Sequence, residues 1–199
     1  PYRQIIGLGV ARCFCRASMV IVMSCNMEML IKRVFNGDAL AAQLMLTKIN
    51  TIDTFISFWI GPIKSSFLEC FGRRVGMVFP TLILSATRAF YSYSPSRITY
   101  LLYRIVVQVC ASFFAGYQSS LSDLIDPTTD QYTATTQMLD QAATVTGIVS
   151  LLAVRKYIKD PRNGMFLASS LYVMAAVVVH FTVDETLEPK NRKPMPWKR

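Results

Sequence analysis

The segment Met165 to Val183 constrains this chain more than any other part of its sequence. It reads MFLASSLYVMAAVVVHFTV, and His180 is its single strongly polar side chain. A helix of about 20 apolar residues matches the hydrocarbon thickness of a bilayer. Backbone amides and carbonyls find no water there, and a helix pairs them internally. The segment therefore predicts a membrane-spanning helix.

Five further apolar segments contain more polar residues. Residues 98–121 include Arg104, and residues 75–91 include Pro80 and Arg88. Charged side chains inside a span are costly in lipid, so we expect them to face other helices or a wet cavity. The predicted spans are residues 5–31, 39–66, 75–91, 98–121, 133–154 and 165–183.

The composition supports an all-α membrane protein. Of 199 residues, 52% are hydrophobic and 17% are charged, whereas soluble domains carry about 25% charge. The net charge is +9, but Lys and Arg occur in short groups between the apolar runs. That distribution is typical of membrane proteins, so we expect lipid and no nucleic acid as a partner. We predict one domain, residues 1–187, and a basic, proline-containing tail, residues 188–199.

The sequence offers little for catalysis. His180 is the single histidine, and no Ser-His-Asp order, phosphate-binding loop or zinc-ligand spacing is present. The five cysteines show no disulfide framework and are interpreted as reduced thiols. We therefore predict no catalytic residue, no metal and no cofactor, and not an enzyme.

The stretch Gly61 to Arg74 carries a family resemblance. It reads GPIKSSFLECFGRR and ends in Phe-Gly-Arg-Arg after an apolar helix. It resembles the signature that follows the second helix of the major facilitator superfamily of transporters. Glu69 stands where the signature has Asp, and Cys70 replaces a basic residue.

Two further passages follow in the order that this resemblance requires. Residues 101–108 resemble the fourth helix, with its cavity-facing Arg and Gln, and residues 184–189 resemble the sequence that closes the sixth helix. The resemblance spans about residues 5–193, almost the whole chain. The resemblance implies the amino-terminal six-helix half of such a transporter, with both ends of the chain on the cytoplasmic, matrix or stromal side.

The resemblance also implies roles for particular residues. A conformational motif would comprise Glu69, Gly72, Arg73 and Arg74. The resemblance places Arg104 and Gln108 near the central cavity, and these two residues and Asn26 of the first apolar segment are the candidate solute-binding residues. For Arg104 a second interpretation stays open, because a guanidinium within a span can also form a structural ion pair with Asp140 or Asp53.

Two functions are consistent with the sequence. The chain is expected to be half of a solute carrier that works by alternating access with a second half. The alternative is a transporter-derived subunit that no longer transports and has a structural role in a larger organellar membrane complex. Cys70 and the lack of a basic residue just after Pro127 favour this alternative. Either the plasma membrane or an organelle inner membrane is consistent with the sequence.

Overall fold

Helices form almost all of the molecule. The computed structural model describes residues 2–110 and 113–187, the side chain of Ser65 excepted. A π-helical turn, Leu30–Val34, extends the first α-helix. Within the described residues the α-helices are α1 Tyr2–Met29, α2 Ala39–Phe71, α3 Arg73–Tyr93, α4 Arg97–Cys110, α5 Phe113–Leu124, α6 Asp130–Tyr157 and α7 Pro161–Thr182. The predicted tail, residues 188–199, lies outside the described residues.

Side-chain caps determine where several helices begin. The Asp38 carboxylate accepts a hydrogen bond from the Ala41 amide at 3.0 Å and starts α2. The Asp160 side chain caps α7 in the same way, and Pro161 occupies the first turn, where its missing amide hydrogen is no loss. Thr129 caps α6. The helix boundaries therefore follow from local side-chain chemistry.

The packing of the first three helices corresponds in part to that of the last three. Helix α1 packs most extensively against α7 and α6, and α3 packs against α7, α4 and α5. Helix α2 contacts α4. Exchanging the first three helices for the last three, with α4 and α5 taken together, converts the α1–α6 contact into the α4–α2 contact. It likewise converts α1–α7 into α4–α3, as in a bundle of two three-helix repeats.

Small polar side chains hold the inner helices together. Ser85 of α3 donates a hydrogen bond to the Ser169 carbonyl of α7 at 2.8 Å, and Ser169 donates to the Ser85 carbonyl at 2.7 Å. Ser18 of α1 donates to the Ala168 carbonyl at 2.6 Å. Short side chains let helix axes approach closely, which is the usual way in which membrane helices associate.

Judged on the described residues, four helical ranges are long and apolar enough to cross a membrane. They are Tyr2–Val34, Arg97–Leu124, Asp130–Tyr157 and Pro161–Thr182. Their outward faces carry large apolar side chains, such as Ile148 and Phe181, which are 54% and 68% exposed. The predicted all-helical membrane fold is confirmed, whereas the bounds of the six spans remain predictions.

Helix α2 has a much narrower buried face than α1. Its buried side chains are Ala42, Ile49, Asp53 and Leu68, all on one side of a helix of 33 residues. Near its middle, Phe58 is 76% exposed. Most of the α2 surface is therefore left uncovered by this chain.

Candidate functional site

A pocket of about 380 Å³ lies between α1, α3, α4, α5 and α7. We name it the arginine pocket, because Arg88 and Arg104 both line it. Asn26 and Thr81 add uncharged polar groups. The remaining lining residues are apolar or aromatic: Met19, Val22, Met23, Leu84, Tyr103, Val107, Cys110, Phe113, Phe114 and Tyr172. The volume falls in the usual range of small-molecule sites, about 300–1,000 Å³.

Arg104 enters the arginine pocket from α4 and is held by α2. Its Nε donates to Asp53 Oδ2 at 2.9 Å, and its terminal nitrogen makes a closer ion pair with the same oxygen. The same terminal nitrogen donates to Asn50 Oδ1 at 2.9 Å. Asp53 is 5% exposed, so little water competes for the pair. The guanidinium thus has a built-in carboxylate partner, and it still lines the pocket.

The other candidate partner of Arg104 lies elsewhere. Asp140 of α6 forms an ion pair with Arg12 of α1. The Arg12 guanidinium also lies 4.4 Å from the centre of the Tyr117 ring and 5.4 Å from that of Phe114. These contacts border a second, smaller pocket of about 220 Å³ between α1 and α6.

Of the two other predicted solute-binding residues, Asn26 lines the arginine pocket and Gln108 does not. Asn26 lines the arginine pocket and donates to the Tyr100 hydroxyl at 3.2 Å. The Arg104 guanidinium donates to the same hydroxyl at 3.4 Å. Gln108 instead accepts a hydrogen bond from Ser57 of α2 at 2.5 Å. The structure therefore brings Asn26 and Arg104 together, while Gln108 ties α4 to α2.

Sequence reasoning missed Arg88 as a candidate. Arg88 lies on α3 and is 3% exposed, yet it lines the arginine pocket. Its terminal nitrogen donates to Ser18 Oγ at 2.6 Å, and its guanidinium lies 4.5 Å from the centre of the Tyr172 ring. The sequence did contain an indication, because a charged residue inside a membrane span is costly and usually has a structural or functional role.

Arg88 and Arg104 are positioned by a cluster of tyrosines. The Tyr91 and Tyr103 rings are nearly parallel, with an interplanar angle of 4° and centroids 5.5 Å apart. Tyr100 packs on Tyr91 at 5.4 Å. Offset stacking of this kind is favourable for aromatic pairs. The cluster therefore fixes the first turns of α4 against the end of α3, which is where both arginines lie.

At the opposite end of α3 lies a group of matched charges. The Glu185 carboxylate, which follows α7, accepts hydrogen bonds from the Arg73 amide at 2.8 Å and the Arg74 amide at 3.3 Å. The Arg73 side chain pairs with Asp123 of α5 at 3.5 Å. We name Arg73, Arg74, Asp123 and Glu185 the end cluster. A carboxylate at a helix N-terminus satisfies free amides and complements the helix dipole.

Gly72 makes the end cluster possible. Its φ of +98° lies in the left-handed region that favours glycine. A Cβ at this position would lie 2.3 Å from a carboxylate oxygen of Glu185. The glycine therefore allows both the sharp turn between α2 and α3 and the close approach of Glu185.

The remaining motif residues lie at the same end of the bundle. Glu69 is half-buried in the last turn of α2. The Arg74 guanidinium donates to the His180 carbonyl of α7 and lies 3.3 Å from its Nδ1. The predicted conformational motif is thus joined to α5 and α7 as well as to α2. Its role in conformational change stays a prediction.

The comparisons with known proteins identify the fold as that of one six-helix half of a major facilitator superfamily transporter. The chain is similar to the crystal structure of the human organic anion transporter MFSD10 (TETRAN), with a TM-score of 0.76 over 98% of this chain. It spans 50% of that transporter's length, at 13% sequence identity. No protein-family model and no curated protein sequence matches the chain.

These findings confirm the divergent resemblance and the fold class that the sequence predicts. An identity of 13% establishes the fold alone. With its apolar helices and this fold, the chain is an integral membrane protein.

Proposed function

We propose that this chain is one half of a solute carrier, which moves a small solute by alternating access with a second six-helix half. The arginine pocket carries this proposal. It combines charged, amide and apolar groups in a concave site of suitable size, within a transporter fold. In such carriers the solute binds near the midplane, between two halves that rock about it.

A second half would cover the exposed side of α2. Lys48 lies within the chain's second apolar segment and is exposed. Exposed polar groups at that depth are unfavourable in lipid but acceptable against protein or a wet cavity. The proposed partner therefore contacts this side of α2, while lipid covers the apolar faces of the other helices.

Solute counterflow tests the proposal. Proteoliposomes containing the protein and its second half would be loaded with one unlabelled solute and exposed outside to the same solute in labelled form. The panel should include neutral, cationic and anionic compounds. Alternating access predicts that the internal solute accelerates entry of the labelled one, because the loaded carrier returns faster than the empty one.

Arg104→Ala is expected to abolish that uptake while the protein stays in the membrane. Because this change leaves Asp53 unpaired, the double variant D53N/R104Q removes both charges together and should also lack uptake. Arg97→Ala is the matched control, since Arg97 begins the same helix and contacts the Phe35 ring at 4.7 Å, outside the pocket. Unaltered uptake by the double variant would reject the role of Arg104 in the pocket.

A different outcome would favour the accessory function. If no solute shows counterflow, and the protein co-purifies in a fixed ratio with other membrane subunits, the chain is a structural subunit. In that case Arg104→Ala should weaken assembly instead.

A further inference from the structure

Arg88 is a buried cation that has no carboxylate partner among the residues that the structure describes. The ion pairs in the described residues join Arg12, Lys32, Arg33, Arg73 and Arg104 to acidic side chains, and none of them involves Arg88. Its Nε is buried and accounts for no hydrogen bond within residues 2–110 and 113–187. A buried guanidinium is costly to leave unbalanced, since desolvation is offset only by good partners.

The contacts that Arg88 does make are to uncharged groups. The Ser18 hydroxyl accepts a hydrogen bond from Arg88 and donates one to the Ala168 carbonyl. Tyr172 and Tyr103 present ring faces 4.5 Å and 5.8 Å from the guanidinium carbon. These contacts orient the side chain and ease its burial, but they carry no negative charge.

The second arginine of the pocket differs in this respect. Asp53 neutralises Arg104, as described above. The charged groups that the described residues of this chain bring to the arginine pocket are therefore two arginines and one carboxylate, which leaves one positive charge on this side of the pocket. A ligand with a single negative charge would balance it.

The apolar lining defines the rest of such a ligand. Met19, Met23 and Phe114 are partly exposed, and together with Val107 and Phe113 they offer an apolar wall. Methionine and aromatic side chains adapt to flat or irregular apolar groups. A small inorganic anion would leave this wall without a contact.

We propose that the arginine pocket binds an organic monocarboxylate, with its carboxylate drawn to Arg88 and its apolar body against the α1, α4 and α5 side chains. This inference rests on the proposed function and specifies its substrate class. Arginine suits the task because its planar guanidinium can donate two parallel hydrogen bonds to a carboxylate.

Three probes with the same ring and different charges test the inference. They are 1-naphthoate, 1-naphthalenemethanol and 1-naphthylmethylammonium, titrated by fluorescence into the protein in lipid nanodiscs. We expect 1-naphthoate to bind most tightly. Arg88→Gln should weaken its binding about 10- to 100-fold, the usual effect of losing one charge-assisted interaction, and leave the neutral probe almost unchanged.

Arg88→Lys and Arg16→Gln serve as comparison variants. Lysine keeps the charge and loses the planar donor pair, so an intermediate affinity is expected. Arg16 also lies within the first apolar segment, but it borders the smaller pocket. Its replacement removes the same charge from the protein and should leave naphthoate binding intact.

Several results would overturn the inference. One is a wild-type protein that binds the neutral or cationic probe as well as naphthoate, whether or not the variants fold. Another is an Arg88→Gln protein with unchanged naphthoate affinity, or one that loses all three probes equally. Counterflow of other solutes without naphthoate binding would reject the carboxylate class and keep the transport proposal. Naphthoate binding without counterflow of any solute would keep the carboxylate class and reject the transport proposal.

Discussion

The end cluster and the arginine pocket both combine arginines with carboxylates, but the charges are arranged differently in the two regions. In the end cluster, the Arg73 side chain pairs with Asp123, and Glu185 accepts hydrogen bonds from the Arg73 and Arg74 amides, so both carboxylates have partners within this chain. In the arginine pocket, Arg104 pairs with the Asp53 carboxylate, whereas Arg88 contacts uncharged groups. A cluster whose carboxylates both have partners stabilises one arrangement of the helices. A pocket in which one arginine lacks a carboxylate retains a positive charge that an anionic ligand can balance, and this difference separates a structural contact from the proposed binding site.

The largest expected effect comes from removing the carboxylate of the pocket. Asp53→Asn leaves Arg104 without its counter-charge in a mostly buried position, and breaking such a pair costs about 3–5 kcal/mol. We expect a lower free energy of unfolding in detergent, measured by denaturant titration.

The double variant D53N/R104Q sharpens that result. It removes both charges, so most of the lost stability should return. If the double variant is as unstable as the single one, the ion pair does not account for the effect.

A smaller effect is expected at Gly72. Gly72→Ala forces a side chain into a left-handed conformation and against Glu185, and such strain costs about 1–3 kcal/mol. The same titration measures it. Gly61→Ala is the control, because no atom lies within 4 Å of a Cβ placed there. Equal losses in both variants would contradict the role assigned to the turn.

The smallest effect is expected from Glu185→Gln. The amide side chain keeps the shape, but its NH2 group cannot accept a hydrogen bond, so one of the two α3 amides loses its acceptor. The neutral side chain also no longer complements the helix dipole, and the expected loss is about 1 kcal/mol. Naphthoate binding should stay unchanged, since the end cluster lies at the other end of α3. A change in binding as large as that of Arg88→Gln would remove the distinction between the two regions.

The sequence predicted the fold better than it predicted the site. Apolar runs and turn residues locate helices because both depend on neighbours in the chain. The sequence also named Arg104 and offered Asp53 and Asp140 as partners. Choosing Asp53 requires the contact between α2 and α4, which residue spacing alone does not contain.

Arg88 and Glu185 show what long-range packing adds. Arg88 is one polar residue in a predicted span, and its importance depends on the absence of a carboxylate from α1, α4 and α7 around it. Glu185 lies more than 100 residues from the α3 amides that it accepts from. Neither relation leaves a local pattern in the sequence.

The Glu185 contact has a mechanical consequence. One carboxylate holds two successive amides at the start of α3, and Arg74 reaches back to the His180 carbonyl near the end of α7. These contacts couple the start of α3 to the end of α7. A tilt of the bundle that preserves them must therefore move α3 and α7 together as one rigid unit.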